Sequence, residues 1–284
     1  MTKSYQFFNM TDFSPARIEE LRLLEQQCKM FDHSSLRIGI DSIKEDGDRA
    51  VLCYDDIRLA GCLSWYTSDG VTADINVMVH PGYRRQGIFR GLLELAQTGM
   101  RDIREFRFRV PADSAPGMDV MRHLGGRLTT SQFTMILEQR TVSTPGGSGL
   151  FLRPRNEEDY EFMIRCLSQA FGDSESWTRN YVARSSEAGR SVFIAVEGSR
   201  PVGLVGVNEL NPQTAVIYDL CVLPADQGRG LGRQMLSSLV RLLQPRGYTE
   251  LRLSVVTGNK HALNLYRSAG FAVSAEFHYF LLEK

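Results

Sequence analysis

Several features that mark other classes of protein are scarce in this sequence of 284 residues. Lys and Arg together number 33, as do Asp and Glu, so the formal net charge is zero and no overall field attracts nucleic acid or an anionic membrane. No apolar run approaches the ~20 residues of a membrane-spanning helix. The N-terminal residues MTKSYQFFNMTDF lack the apolar core of a signal peptide. We therefore expect a cytoplasmic protein with no nucleic-acid partner and no membrane partner.

Cysteine and histidine are also sparse, with five residues of each. No two cysteines have the CxxC spacing of a metal or redox site, and the histidines have no ligand spacing, so we predict no metal site. The cysteines are scattered in apolar surroundings, which is typical of buried, unpaired thiols in a reducing compartment.

What the sequence does contain is a repeat of itself. Gly230 follows Gly87 by 143 positions (230 minus 87), and the surrounding segments YDLCVLPADQGRGLGRQML and INVMVHPGYRRQGIFRGLL align. A period this long predicts two copies of one domain, because solenoid repeats are much shorter. The copies are separated by TVSTPGGSG, which has the Ser, Thr, Pro and Gly content of a linker. The predicted domains are residues 1–140 and 150–284, with the linker at 141–149.

Each copy has the same predicted order of elements. An amphipathic helix is followed by hairpin-like β segments, and then by a strand, a glycine loop, a helix, a strand, a short helix and a closing β segment. Hairpins followed by a β-α-β arrangement predict an α/β (α+β) fold, with a central mixed sheet flanked by helices in each copy. The predicted elements of the second copy include helices at Glu157–Phe171, Trp177–Ser186 and Gly232–Leu243 and strands at Ala215–Leu223 and Glu250–Val256.

The glycine loop of the second copy, Gln227–Gly232, carries the main functional signal. Glycine permits positive φ and close approach of the backbone to a ligand. The N-terminus of the following helix presents unpaired N–H groups and a partial positive charge, so the loop predicts an anion cradle suited to a pyrophosphate. The loop is neither a P-loop nor a Rossmann fingerprint, since Arg233 stands where GxGxxG requires its last glycine.

The loop does match the order Gln or Arg, two residues, Gly, one residue, Gly or Ala, directly after a strand. It is followed by Asn259, Ala262, Tyr266 and the pair Gly270–Phe271 at their expected spacing. In these motifs the sequence resembles the GNAT superfamily of N-acetyltransferases, over nearly the whole chain and twice. The resemblance implies acetyl-CoA as co-substrate, with its pyrophosphate in the loop. The binding residues that it implies here are Gln227, Gly228, Arg229, Gly230, Leu231, Gly232, Arg233, Asn259 and Ala262.

The resemblance also implies roles for the strand before the loop and for Tyr266. In the family this strand splays from its neighbour and pairs with the pantetheine amides, which assigns backbone contacts to Leu220, Cys221 and Val222. Tyr266 would contact the cofactor and, as a catalytic acid, protonate the departing thiolate. A packing role for Tyr266, and a helix-capping role for Asn259, are the alternatives.

Direct attack by an amine requires a base that deprotonates the ammonium group. Asp219 is the first candidate, because IYDLCV resembles the IYDLAV stretch of the aminoglycoside 3-N-acetyltransferases in the same superfamily. Glu209, on the neighbouring strand, is the second, and either carboxylate could instead be a surface or turn residue. Trp177 follows the first helix of this copy, where the family builds its acceptor wall.

The first copy keeps the loop, as Arg84–Phe89, but loses the residues to which chemistry is assigned. Methionine has no proton to donate, so we predict a degenerate domain, and whether it binds CoA is left open. The replacements are Phe89 for Gly232, Ser114 for Asn259, Met121 for Tyr266 and Asn76 for Asp219.

The expected function is therefore transfer of acetyl to a primary amine of a small molecule or peptide, with the chemistry in the C-terminal copy. The two-copy layout resembles that of the mycothiol synthases, whose acceptor is an aminosugar conjugate. A non-catalytic acyl-CoA sensor or scaffold is the alternative of a different class. The protein is expected as a monomer, with its copies as an internal pseudo-dimer, or as a homodimer.

Overall fold

The computed structural model of the chain describes residues 4–35, 38–40, 43, 49–67, 70–138, 149–183 and 189–284. Most of the predicted linker, residues 141–148, lies outside this set. The α-helices are α1 (Pro15–Asp32), α2 (Ile88–Gly99), α3 (Ala115–Leu124), α4 (Tyr160–Phe171), α5 (Glu175–Ala183), α6 (Leu231–Leu243) and α7 (Lys260–Ser268). The strands are β1 (Gln6–Asn9), β2 (Arg49–Asp55), β3 (Arg58–Tyr66), β4 (Thr72–Val79), β5 (Glu105–Pro111), β6 (Arg127–Leu137), β7 (Leu150–Pro154), β8 (Arg190–Glu197), β9 (Arg200–Asn211), β10 (Thr214–Val222), β11 (Glu250–Val256) and β12 (Phe271–Glu283).

The first compact unit comprises residues 1–132 and 275–284. Its strand order is β1-β2-β3-β4-β5-β12, antiparallel except for the parallel pair β4–β5. Successive residues of a strand point to opposite faces, and both faces are apolar here. Val51 packs with α2 in one core, whereas its neighbour Leu52 packs with α1 in another.

The second compact unit, residues 133–274, repeats this arrangement. Its strand order is β7-β8-β9-β10-β11-β6, and the parallel pair is β10–β11. Phe193 faces the core that contains α6, whereas the adjacent Ile194 faces the core that contains α4. Two α/β copies, each with a mixed sheet flanked by helices, are thereby confirmed.

The compact units differ from the halves of the sequence in their last strand. The C-terminal part of β12 pairs with β5 of the first unit, from Phe277 opposite Pro111 to Glu283 opposite Glu105. The end of β6, which belongs to the first half of the sequence, lies beside β11 in the second unit. Each copy is thus completed by a strand from the other half. An alternating pattern predicts that a segment forms a strand but leaves its partner undetermined.

Local expectations and structure differ mainly at the start of each copy. The strands β1 and β7 precede the helices that were expected to come first. Both are short, at four and five residues, and neither alternates cleanly between buried and exposed positions. Among the described residues, no helix combines the length and apolarity needed to cross a membrane.

Candidate active site

The strand β10 leaves its parallel neighbour halfway along its length. Within the described residues, β10 and β11 are in register from Thr214 opposite Glu250 to Ile217 opposite Leu253. The remainder of β10, including Leu220–Val222, continues without a partner on that side. A strand edge exposed in this way is the geometry to which an extended, amide-containing ligand adds as a further strand.

On its other side β10 contains a β-bulge. Tyr218 lies opposite Gly206 and Cys221 opposite Leu204, so three steps on β10 match two on β9. Within the bulge Asp219 has a φ of 51°, in the left-handed region that few non-glycine residues adopt. A Cβ atom at Gly206 would lie 2.3 Å from the Tyr218 ring, so only glycine permits this close approach. The bulge directs the Asp219 side chain away from the regular alternation of the strand.

The Asp219 carboxylate lies in a pocket of the second unit. The hydroxyl of Tyr181 donates a hydrogen bond to it at 2.8 Å. Burial raises the pKa of Asp219 to about 6, while the Tyr181 hydrogen bond and the charge of Arg190 act in the opposite direction. The pocket is otherwise mainly apolar, with Met163, Leu167, Val192 and Leu204 among its lining residues. A carboxylate with a pKa near neutrality is suited to accept a proton at physiological pH.

Tyr181 is a residue of this site that the sequence did not reveal. It lies on α5, and its ring stacks on Trp177 with centroids 5.3 Å apart and an interplanar angle of 8°. Burial, and then the neighbouring Asp219 carboxylate, raise the pKa of Tyr181 far above its ordinary value, so its hydroxyl remains a donor. The four-residue spacing of the two aromatic residues on one helix was the available signal.

Tyr266, the predicted catalytic acid, lies on α7 with its ring in the core. It makes an edge-to-face contact with Phe271 at 6.4 Å between centroids, so it does have a packing role. Burial, and then the nearby Cys221, raise the pKa of Tyr266 to about 12. The hydroxyl proton is therefore retained at neutral pH.

The glycine loop has the backbone conformation of an anion cradle. Gly228 and Gly230 have φ values of 77° and 76°, and α6 begins directly afterwards at Leu231. No atom of the described residues lies within 4 Å of the position that a Cβ would take at either glycine, so the loop backbone has room for a ligand such as a pyrophosphate. The flanking side chains support the loop: Gln227 donates to the Val222 carbonyl, and Arg229 pairs with Glu197 and Asp226.

The other residues predicted to bind acetyl-CoA lie on or beside the helices α6 and α7. The side chain of Asn259 caps α7 by accepting a hydrogen bond from the Ala262 backbone at 3.0 Å. A Cβ at Gly232 would lie 3.2 Å from the Leu265 side chain, so glycine there permits close packing of α6 and α7. Leu231 is buried in the core and Arg233 is exposed beside the loop.

Glu209, the second candidate base, is not brought together with Asp219. It lies opposite Ala215 at the start of β10, four residues before Asp219. Its carboxylate forms an ion pair with Arg246 at 3.5 Å.

The Cys221 thiol points into the core, 3.6 Å from the Cys166 thiol. Its hydrogen bond with Cys166 and its burial raise the pKa of the Cys221 thiol well above its ordinary value. The reactive thiolate is thereby disfavoured, and the backbone remains the part of Cys221 suited to a ligand.

The first copy retains the geometry of the loop. Arg85 and Gly87 have φ values of 60° and 82°, at the positions of Gly228 and Gly230. Arg84 donates to the Val79 carbonyl, as Gln227 does to Val222. The neighbouring strands also part in the same way, with β4 and β5 in register only from Thr72 to Ile75 within the described residues.

The first copy lacks the geometry around Asp219. Its strands β3 and β4 stay in register from Gly61 opposite Val79 to Tyr66 opposite Asp74, without a bulge. Ser114 preserves the helix cap of Asn259, but the buried Met121 occupies the position of Tyr266. Phe89 packs among core residues, 6.4 Å from Phe108 between ring centroids, rather than standing free in the loop.

A sequence profile described as the Acetyltransferase (GNAT) family matches residues 13–123 and 157–271. The chain belongs to this family. One match falls in each copy, so the protein is a tandem GNAT acetyltransferase, as the loop and α7 motifs predicted. The GNAT family generally uses acetyl-CoA.

Relatives and solved structures extend the likeness over both GNAT copies. The chain is 27% identical to a mycothiol acetyltransferase of Thermomonospora curvata, with 81% of each chain covered, and 26% identical to one of Thermobispora bispora, with 90% and 88% covered. A GCN5-related N-acetyltransferase from Sphaerobacter thermophilus has a TM-score of 0.78 at 19% identity, covering 98% of this chain and 95% of that one. A tandem GNAT protein from the clavulanic acid biosynthesis pathway has a TM-score of 0.71 at 17% identity, covering 99% and 98%. These two structures show the shared fold.

Proposed function

We propose that the protein transfers acetyl from acetyl-CoA to a primary amine of a small molecule or peptide, with the chemistry in the second unit. The observation that supports this division is the bulge of β10, which places Asp219 in a pocket. The first copy has a similar loop and a similar opening between strands, but a regular strand pair and Asn76 at the corresponding position. Binding geometry is common to both copies, whereas acid–base geometry belongs to the second alone.

The proposed binding mode follows from the backbone. Gly228–Gly232 and the start of α6 hold the pyrophosphate of acetyl-CoA, and the open edge at Leu220–Val222 pairs with the pantetheine amides. Acetyl-CoA supplies an activated acyl group as a thioester. The ion pair of Arg229 with Asp226 keeps the loop in its anion-binding conformation.

The proposed proton transfers follow from the two titratable groups of the site. The ionised Asp219 accepts a proton from the acceptor ammonium, which frees the nitrogen lone pair for attack. Tyr266 donates its hydroxyl proton to the sulfur as the C–S bond breaks. The attacking nitrogen loses its second proton to solvent as the amide forms, and because burial raises the pKa of Tyr266 to about 12, the tyrosine recovers a proton before the next turnover. Cys221 takes no covalent part, since its thiol is buried and paired with Cys166.

A narrower candidate for the acceptor is an aminosugar conjugate of the mycothiol type. The support is that relatives matching 81% to 90% of the chain are named mycothiol acetyltransferases. The identity of 26% to 27% leaves room for a different acceptor, because the acceptor pocket is built from side chains that vary within a fold.

The test is a thiol-release assay with acetyl-CoA and a panel of amines, including aminosugars, small polyamines and peptides with free N-termini. We expect saturable CoA release with at least one primary amine and a new amide in the product by mass spectrometry. Tight CoA binding by calorimetry without turnover on any amine would instead support an acyl-CoA sensor and contradict the proposal.

A further inference from the structure

We propose that Tyr181 is a positioning residue, which holds the Asp219 carboxylate ionised and in one orientation. This inference rests on the proposed function, in which Asp219 is the base. The hydroxyl of Tyr181 donates to Asp219 at 2.8 Å from a different element, α5, which faces the bulge of β10. The bulge provides the direction of the Asp219 backbone, and Tyr181 provides the contact that selects one orientation of its carboxylate.

The position of the Tyr181 side chain is supported by a neighbouring aromatic ring. Its ring stacks on Trp177, which remains 43% exposed, and Tyr181 itself lines the pocket that contains Asp219. The stack restricts rotation of the Tyr181 side chain, so the hydroxyl is held towards Asp219 before a substrate arrives. A preorganised donor of this kind avoids a reorganisation step during reaction.

The Tyr181 hydroxyl is a neutral donor, in addition to the cationic Arg190, beside Asp219. Among the described residues, the titratable groups around Asp219 are Tyr181 on α5, Arg190 on β8, Asp173 between α4 and α5, and Tyr218 and Cys221 on its own strand. Asp173 raises the pKa of Asp219, and Arg190 and Tyr181 lower it, against the larger effect of burial. The Tyr181 hydroxyl favours the carboxylate without adding a positive charge that would repel an incoming ammonium.

The test compares Tyr181→Phe with Tyr160→Phe as a matched control. Tyr160 lies on the adjacent helix α4, and its hydroxyl donates to the backbone carbonyl of Arg179 at 3.1 Å, away from Asp219. Each variant therefore loses one tyrosine hydroxyl from the α4–α5 pair and keeps its ring. The readouts are kcat/KM from pH 5 to 9, and the carboxyl titration of Asp219 by NMR of protein labelled with [13C]aspartate.

Loss of the Tyr181 hydroxyl disfavours the charged form of the Asp219 carboxylate. The acid limb of the profile of kcat/KM against pH should therefore move to higher pH in Tyr181→Phe. We expect kcat/KM to fall about tenfold at pH 6.5 and to recover to within about threefold of the parent value at pH 9. The Asp219 carboxyl resonance, assigned by its absence in Asp219→Asn, should titrate at correspondingly higher pH. Tyr160→Phe should change neither the acid limb of the pH profile nor the titration of the Asp219 carboxyl resonance.

A uniform loss of activity in Tyr181→Phe, with the acid limb and the Asp219 titration unmoved, would overturn the positioning role and leave only packing. Failure of the proposed function has a different signature, because Asp219→Asn would then retain the parent rate. The NMR titration needs no substrate, so it reports on the Tyr181–Asp219 contact whichever amine is the acceptor.

Discussion

Asp219→Asn is expected to lower kcat about 1000-fold, the middle of the range that a general base contributes. Asparagine is nearly the same size and tolerates the left-handed conformation that Asp219 adopts at φ 51°, so the bulge should persist. What the variant loses is the ability to accept a proton. Steady-state CoA release with the best amine of the panel measures the effect, and KM for acetyl-CoA should change little.

The matched control is Glu209→Gln, which removes the other candidate carboxylate. Glu209 lies at the start of β10 and pairs with Arg246, so we expect its kcat to stay within about threefold of the parent value. A large loss in Glu209→Gln together with an active Asp219→Asn would reverse the assignment of the base.

The raised pKa of Asp219 also predicts how kcat/KM and the stability of the protein depend on pH. Burial raises this pKa to about 6, so kcat/KM of the parent enzyme should decline as the pH falls through about 6. A raised carboxyl pKa favours the folded state at low pH, and that contribution is lost as the pH rises through the folded-state pKa. At pH 8 Asp219→Asn, which carries no buried charge, should therefore melt no lower than the parent protein. A comparison of the two melting temperatures therefore distinguishes a loss of catalysis from a loss of folded protein.

Tyr266→Phe is expected to lower kcat about 100-fold, the lower end of what a general acid contributes. Phenylalanine keeps the ring and its edge-to-face contact with Phe271, so the core around α7 should be preserved. The loss should fall mainly on kcat, because protonation of the thiolate occurs after acetyl-CoA is bound. Single-turnover rates measured by quenched flow isolate this step from product release.

Tyr248→Phe is the control for Tyr266→Phe. Tyr248 belongs to the same core cluster, but Glu209 and Arg246 are the charged groups that influence its pKa, whereas the group beside Tyr266 is Cys221. Activity in Tyr248→Phe should remain within about threefold of the parent value. Equal activity in Tyr266→Phe and the parent enzyme would remove Tyr266 from the chemistry and leave it the packing role.

The parts of the site that depend on local sequence could be predicted. The glycine loop is one, because the conformations of Gly228 and Gly230 and the start of α6 follow from neighbouring residues. The helix cap at Asn259 is another, since it needs only the backbone of Ala262 three residues later. The strand β11 was likewise predicted with its observed bounds, Glu250–Val256.

The parts that depend on contacts distant in sequence could not be predicted. Tyr181 and Asp219 are 38 positions apart, and nothing in either segment indicates the hydrogen bond between them. The bulge of β10 depends on register with β9, which a strand pattern leaves undetermined. For the same reason a closing β segment was expected in each copy, whereas the pairing of β12 with β5 emerged only from the fold.

The central claim, that acetyl-CoA reacts in the second unit, is tested most directly by Gly230→Val beside Gly87→Val. The two glycines stand directly before α6 and α2 with φ values of 76° and 82°, and no atom in the described part of the chain lies within 4 Å of a Cβ added at either position. Valine imposes the same backbone strain at both positions, so stability should fall similarly. We predict that kcat/KM for acetyl-CoA falls about 100-fold in Gly230→Val, equal to about 2.7 kcal/mol, and changes less than about threefold in Gly87→Val. Equal losses in the two variants, or a larger loss in Gly87→Val, would contradict the account.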